Sequence, residues 1–144
     1  MGHALKQIHK ILAVNGRLID MHPIGEPAPV TVHIGTEKHQ AGWIKEEGEY
    51  EMYYLADEAL EMAVSNSWYR QTANETFAFI TIHGNLSKLQ HYLETEWTAA
   101  YIEPLVAMQI ESLMQSPISD QEITVKEVVR IACLEPILVD SKNI

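Results

Sequence analysis

ALKQIHKILAVNGRLIDMHP, residues 4–23, is the stretch from which we predict the fold. Apolar side chains within residues 5–12 recur at helical spacing and predict an amphipathic helix. Asn15 and Gly16 tolerate the left-handed backbone that ends a helix. The nearly continuous apolar run in residues 17–22 is typical of a strand buried on both faces. A helix, a glycine turn and a buried strand in this order predict the αβ half of a parallel α/β unit.

The remaining segments alternate between strand and helix patterns. Asn85 is a good N-cap, and Pro104 suits the first turn of a further helix. The predicted elements are a hairpin of strands 30–34 and 41–44, a helix over 49–72, a strand over 77–83 buried on both faces, helices from Asn85 and from Pro104, and a long strand over 123–134. This order predicts an α/β fold in which helices flank the sheet.

Length and composition predict one globular domain. The chain has 144 residues, of which 47% are hydrophobic and 21% charged. This is enough apolar material for a real core and argues against disorder over most of the chain. We therefore predict a single domain over residues 1–136, followed by a disordered tail over 137–144.

The charge balance excludes one class of partner. Ten Lys and Arg against twenty Asp and Glu give a formal net charge of −10, whereas a protein that grips phosphate backbones needs a cationic surface. The N-terminus lacks the apolar run of a signal peptide, and no apolar stretch is long enough to span a bilayer. We predict a cytoplasmic protein that binds neither nucleic acid nor membrane.

A search for self-contained catalytic motifs is negative. No two of the seven glycines are separated by a single residue, so the dinucleotide fingerprint is absent, as are a phosphate-binding loop and a nucleophile elbow. Cys133 is the only cysteine, and the seven histidines have no acidic or cysteine partners at zinc-like spacing. The sequence thus predicts no catalytic residue, no cofactor-binding residue and no metal site within this chain.

Asp20 and His22 form the first candidate site. His22 lies at the carboxyl end of the strand in residues 17–22, the edge where open α/β sheets bind ligands. Because side chains alternate along a strand, Asp20 faces the same side as His22. The two are candidates for an acid–base or substrate-orienting pair. The alternative is a solvated loop histidine beside a capping aspartate.

Two tyrosines extend this candidate pocket. Tyr53 and Tyr54, at the start of the helix predicted over 49–72, are candidates for lining a pocket for an apolar ligand. Aromatic residues at the start of an amphipathic helix also pack into cores, and this second interpretation stays open.

A resemblance to a known family extends over nearly the whole chain. Residues 4–23 resemble the part of class I S-adenosylmethionine-dependent methyltransferases in which a helix runs through Pro-Gly-Gly into a strand that ends near Asp-x-His-Pro. This chain has Val14-Asn15-Gly16 at the first motif and Asp20-Met21-His22-Pro23 at the second. The segments similar to later elements of the family are 53–68, 77–82, 86–97 and 123–134. The resemblance implies a partial Rossmann-like methyltransferase sheet, made of the last strands plus a hairpin and flanked by helices.

The same resemblance implies that the cofactor half is missing. The family's first strand, its glycine-rich loop and the acidic residue that holds the cofactor ribose would all lie upstream of Met1. The chain is therefore methyltransferase-like without the cofactor-binding motif. It would meet S-adenosylmethionine only if a partner supplied the missing half.

A partner is also expected at the first strand. In the family, the strand that ends at His22 is paired on both sides. Without its upstream neighbour, residues 17–22 would present a bare apolar edge, and such edges must be covered. We predict that a second copy covers it in a homodimer, or that a separate chain supplies the N-terminal half.

Two classes of function follow. The first is a methyltransferase-like fragment that is not catalytic alone and acts as an oligomeric scaffold, or as one subunit of a split S-adenosylmethionine-dependent methyltransferase. The alternative is a non-enzymatic small-ligand binding protein that uses the pocket around His22, Tyr53 and Tyr54.

Overall fold

The computed structural model of the chain describes residues 2–48 and 50–137. Its helices are α1 Gly2–Ile11, α2 Glu51–Ser65, α3 Leu86–Thr95 and α4 Pro104–Leu113. Its strands are β1 Leu18–Pro23, β2 Pro29–Ile34, β3 Glu37–Trp43, β4 Lys45–Glu46, β5 Tyr69–His83, β6 Ala100–Tyr101 and β7 Gln121–Pro136. The fold is mixed α/β, with a mostly antiparallel open sheet and flanking helices.

The prediction of a parallel α/β unit is wrong. β1 pairs with β7, β2 pairs with β7 and β2 pairs with β3, and all three ladders are antiparallel. Parallel neighbours need a crossover of a dozen or more residues, usually a helix. Here β2 and β3 are joined by a tight turn, and β1 pairs with β7, which is distant in the sequence. The helix-glycine-strand pattern did not reveal the direction of that distant partner.

The chain divides into two compact units. The described part of unit 1 comprises residues 2–24, 51–77 and 129–137, and that of unit 2 comprises residues 25–48, 50 and 78–128. β5 and β7 each run through both units. The prediction of one domain over residues 1–136 stays a prediction.

Unit 1 has a small core between α1, α2 and the inner face of its strands. Tyr69, at the start of β5, is fully buried, and its hydroxyl donates a hydrogen bond of 2.9 Å to the Leu5 carbonyl oxygen. This bond ties β5 to α1 at the centre of the core. The buried residues of this core are Leu5, Ala59, Leu60, Ala63, Tyr69, Ala132 and Leu134.

β1 is not buried on both faces as predicted. Ile19 and Met21 are 55% and 63% exposed, whereas Leu18 packs against the unit 1 core. Only one face of the strand is covered, so the apolar residues that alternate with the covered face remain at the surface. The apolar run in residues 17–22 therefore did not indicate how much of the strand is buried.

Unit 2 matches several predictions about local structure. The predicted hairpin is confirmed as β2 and β3, with Gly35 in the turn at a φ of 59°. Asn85 caps α3, and Pro104 begins α4, both as predicted. The core of this unit is built of Ala28, Val30, Val32, Ile34, Ile44, Leu89, Leu93, Ala100, Val106, Ile110, Ile123 and Val125.

The segment after α2 differs most from prediction. The helix predicted over 49–72 ends at Ser65, because Ser67 adopts a φ of 57° and the Trp68 amide donates to the Ala63 carbonyl at 3.0 Å. The strand then begins at Tyr69 and is fifteen residues long. The prediction that residues 77–83 are buried on both faces is also wrong, since exposed positions dominate β5.

Residues 138–144 of the predicted tail lie outside the described residues, while the Ile137 amide donates to the Trp68 carbonyl at 2.9 Å. None of the described helices combines the length and the hydropathy needed to cross a bilayer.

Candidate functional site

The structure brings Asp20 and His22 together on the inner face of β1. In the ladder with β7, Asp20 lies opposite Ala132, and His22 lies opposite Arg130. Side chains alternate along a strand and directly opposed residues share a face, so His22 and Arg130 are neighbours. The apolar core of unit 1 therefore gives way to charged side chains towards the end of β1.

Both ring nitrogens of His22 contact carboxylates. Nδ1 lies 2.6 Å from Oδ2 of Asp20, and Nε2 lies 3.2 Å from Oδ1 of Asp57 on α2. A ring N–H is a suitable hydrogen-bond donor to a carboxylate, so the two carboxylates hold the His22 ring from both sides. The His22 side chain is only 10% exposed, and those of Asp20 and Asp57 are 23% and 29% exposed.

Arg130 and Asn74 complete the cluster. Asp57 Oδ1 also accepts a hydrogen bond from Arg130 Nη1, and Arg130 Nε donates to Asn74 Oδ1 at 2.9 Å. Asp57 thus contacts both the His22 ring and the Arg130 guanidinium. We call Asp20, His22, Asp57, Asn74 and Arg130 the His22 cluster.

The His22 cluster joins four elements of unit 1. Its members come from β1, α2, β5 and β7. A general base needs a ring nitrogen within reach of a substrate proton, but both ring nitrogens of His22 are already in contact with carboxylates. The geometry therefore favours a structural role in which these polar contacts hold the four elements together, and we call this role the electrostatic clamp. The acid–base role of Asp20 and His22 stays a prediction.

The two tyrosines of the candidate pocket lie on α2, in the turn before Asp57. Tyr53 is half-buried, and Tyr54 is about half exposed. Tyr53 is four residues before Asp57 and so shares its helix face. A pocket lined by Tyr53 and Tyr54 stays a prediction.

Unit 2 contains two titratable side chains, His83 and Glu127, whose pKa values are shifted by burial. Burial lowers the pKa of His83, whose ring centre lies 5.0 Å from that of Tyr92. Burial, and to a lesser degree the charge of Glu46, raises the pKa of Glu127 above its ordinary range. Both shifts disfavour the charged forms of these groups, as expected for titratable side chains removed from water.

Sequence reasoning missed three members of the His22 cluster. Asp57 follows the buried Ala56 on α2, and the pattern offered no sign that this position faces a strand. Arg130 shares a face of β7 with the buried Ala132 and Leu134, and its place in an apolar segment gave no sign of a charged partner there. Asn74 lies between the predicted helix over 49–72 and the predicted strand over 77–83. The sequence pattern therefore did not assign it to a strand.

Comparisons with known proteins add no family to this picture. No family model, no curated protein and no solved structure matches the chain. Within residues 2–48 and 50–137, no three His, Cys, Asp or Glu side chains are grouped to hold a metal ion. The resemblance to methyltransferases therefore rests on the sequence pattern alone.

Proposed function

We propose that this chain acts as a self-associating, non-catalytic subunit, an oligomeric scaffold joined to a second copy through β5. One observation carries the proposal, namely the exposure of a long apolar strand. Phe77, Phe79, Ile80 and Ile82 of β5 are between 42% and 63% exposed. Contiguous exposed apolar residues of this kind mark protein interfaces.

β5 lacks the features that keep a sheet edge from pairing with another chain. Natural edge strands are short, or carry lysine, proline or a bulge. β5 is fifteen residues long and contains neither proline nor lysine. Among the described residues it pairs with β7, which occupies one of its two edges. The other edge is the natural place for a further strand.

Charge favours a second copy as the occupant of this edge. Residues 76–82 of β5 carry no charged side chain. Antiparallel pairing of this run with its own copy around a two-fold axis places no like charges opposite each other. The rest of the chain carries a net charge of −10, which opposes self-association through other surfaces.

β1 is the edge at which the sequence predicted the second copy. It has an exposed outer face, but it is only six residues long and ends in Pro23. Both features weaken it as a template for a further strand. The proposal therefore moves the interface from β1 to β5.

A Rossmann-like methyltransferase ancestry remains a separate part of the proposal. Its support is the resemblance of residues 4–23, while the antiparallel ladders argue against it, because Rossmann-like sheets are mostly parallel. A split enzyme would need another chain to supply the cofactor half. The non-catalytic scaffold needs only a second copy and is the simpler function.

The test compares two equally exposed residues on two different strands. Ile82 on β5 and Met21 on β1 are both 63% exposed. Light scattering coupled to size exclusion should show a dimer for the wild-type chain at micromolar concentration. Ile82→Lys should convert it to a folded monomer, because a buried unpaired charge is costly, whereas Met21→Lys should leave the dimer intact. Circular dichroism checks the fold of each variant.

Two results would overturn the proposal. One is a stable wild-type monomer, and the other is a dimer that survives Ile82→Lys. Calorimetric titration with S-adenosylmethionine tests the non-catalytic part separately, since binding by the purified chain alone would contradict it.

A further inference from the structure

A polar cleft in unit 1 is lined by two arginines and one glutamate. It has a volume of about 460 Å³, within the range of small-molecule sites. The loop after α1, β5 and the end of β7 form its walls. The residues that line it include Asn15, Gly16, Arg17, Arg70, Glu135 and Pro136.

Glu135 holds the two arginines in place. Its Oε1 lies 3.3 Å from Arg17 Nε, and its Oε2 accepts a hydrogen bond of 2.7 Å from Arg70 Nη2. These contacts, that with Arg70 first, lower the pKa of the Glu135 carboxyl group. Each oxygen of the carboxylate therefore positions one guanidinium group.

The two arginine side chains are more exposed than the carboxylate that they contact. The Arg17 and Arg70 side chains are 66% and 71% exposed, whereas the Glu135 side chain is 26% exposed. A guanidinium has five N–H donors, and these contacts with Glu135 engage one nitrogen of each arginine. The charges lining the cleft sum to +1 on a chain whose net charge is −10.

We propose that the cleft of Arg17, Arg70 and Glu135 binds the phosphate group of a small phosphorylated molecule. Planar guanidinium groups bind phosphate oxygens in pairs. A phosphate group presents several oxygens in a tetrahedral arrangement and can accept from both arginines at once. The cleft is larger than a phosphate group and so has room for an attached organic part.

The net negative charge of the chain favours a small ligand over a long polyanion. A long polyanion meets the repulsion of the whole acidic surface, whereas a small anion responds mainly to charges within a Debye length of about 8 Å. Within the cleft, the positive charge of the two arginines exceeds the negative charge of Glu135. The cleft therefore suits a small phosphate ester or free phosphate rather than a nucleic acid.

The test titrates the full chain with inorganic phosphate and with glycerol 3-phosphate, at constant ionic strength maintained with chloride. Arg70→Gln and Arg17→Gln should each weaken binding about tenfold, since each removes a charged hydrogen-bond donor group. Glu135→Gln should strengthen it, because the competing carboxylate charge is lost while the amide oxygen can still accept a hydrogen bond from one arginine. The control is Lys10→Gln, which removes one exposed positive charge from α1 in the same unit and should leave the affinity unchanged.

The Glu135 variant distinguishes a ligand site from a structural salt bridge. A merely structural triad predicts lower stability for Glu135→Gln and no gain in phosphate affinity. That result would overturn the proposal, and so would equal affinity of all variants or no binding of either probe at millimolar concentration. Tighter binding of glycerol 3-phosphate than of phosphate supports a phosphorylated ligand, and equal binding supports free phosphate in the same site.

Discussion

Asp20 and His22 lie two residues apart on β1 and are joined by a contact of 2.6 Å between Oδ2 and Nδ1. The chain repeats this spacing at Glu37 and His39 on β3, where the contact is 3.1 Å. The two pairs differ in their surroundings. The His22 side chain is 10% exposed and also contacts Asp57, whereas the His39 side chain is 38% exposed. Burial and the second carboxylate are thus what set the His22 pair apart.

The first prediction uses this repeated pair. His22→Gln removes a ring that contacts two half-buried carboxylates, and we expect it to lower the free energy of unfolding by about 2 kcal/mol. His39→Gln breaks an exposed pair, and we expect a change below about 0.5 kcal/mol. Urea unfolding of both variants measures the difference. Equal effects would contradict the electrostatic clamp.

The second prediction concerns the cap of α3. Asn85 Oδ1 accepts a hydrogen bond of 2.9 Å from the Lys88 amide. Asn85→Ala leaves that amide without its acceptor and should cost about 1 kcal/mol of stability. Asn85→Asp keeps an acceptor and places negative charge at the helix N-terminus, so it should be at least as stable as the wild-type chain. An Asp variant as unstable as the Ala variant would contradict the capping role.

Features that depend on a few neighbouring residues could be predicted from the sequence. The Asn85 cap, the start of α4 at Pro104 and the hairpin around Gly35 all follow from local backbone preferences. The shared face of Asp20 and His22 follows from the period of a strand. None of these needs knowledge of a distant partner.

Features that depend on distant partners could not be predicted. The direction of β1 is set by β7, where Leu18 lies opposite Leu134. The apolar run of residues 77–82 indicated a strand correctly, but exposure depends on what covers it, and no local pattern records this. For the same reason the sequence did not join Asp57 and Arg130 to His22.

The third prediction concerns Glu127, whose pKa is raised first by burial and then by Glu46. Above the unfolded-state pKa, the unfolded chain releases this proton before the native chain does. Stability therefore falls as the pH rises through the window up to the folded-state pKa, and the penalty is complete above it. Glu127→Gln is neutral at every pH, so it should be more stable than the wild-type chain at pH ~7 and should lose this advantage near pH ~4.

The control for this experiment is Glu111→Gln on α4. Glu111 is exposed, and its replacement should change stability by less than about 0.5 kcal/mol at either pH. Urea unfolding at both values gives the comparison. A Glu127→Gln variant that is less stable than wild type at neutral pH would show that the carboxylate makes stabilising contacts there.

The last prediction concerns Gly42 on β3. A Cβ atom at this position would lie 2.5 Å from Val106 Cγ2 on α4, and Gly42 also has a φ of 153°. Gly42→Ala therefore combines a clash with backbone strain and should cost about 2–4 kcal/mol. Gly48, at a φ of 82°, has nothing within 4 Å of the added Cβ, so Gly48→Ala isolates the strain and should cost about 1 kcal/mol.

A double-mutant cycle separates the clash from the strain. Val106→Ala removes both methyl groups that an alanine at position 42 would meet. If close packing of β3 on α4 requires the glycine, Gly42→Ala should cost less in the Val106→Ala background than in the wild-type chain, by about 1 kcal/mol or more. Thermal or urea unfolding of the four proteins measures this coupling. If Gly42→Ala costs the same in both backgrounds, the whole effect comes from the backbone angle. The Val106 side chain would then have moved aside at no cost in free energy.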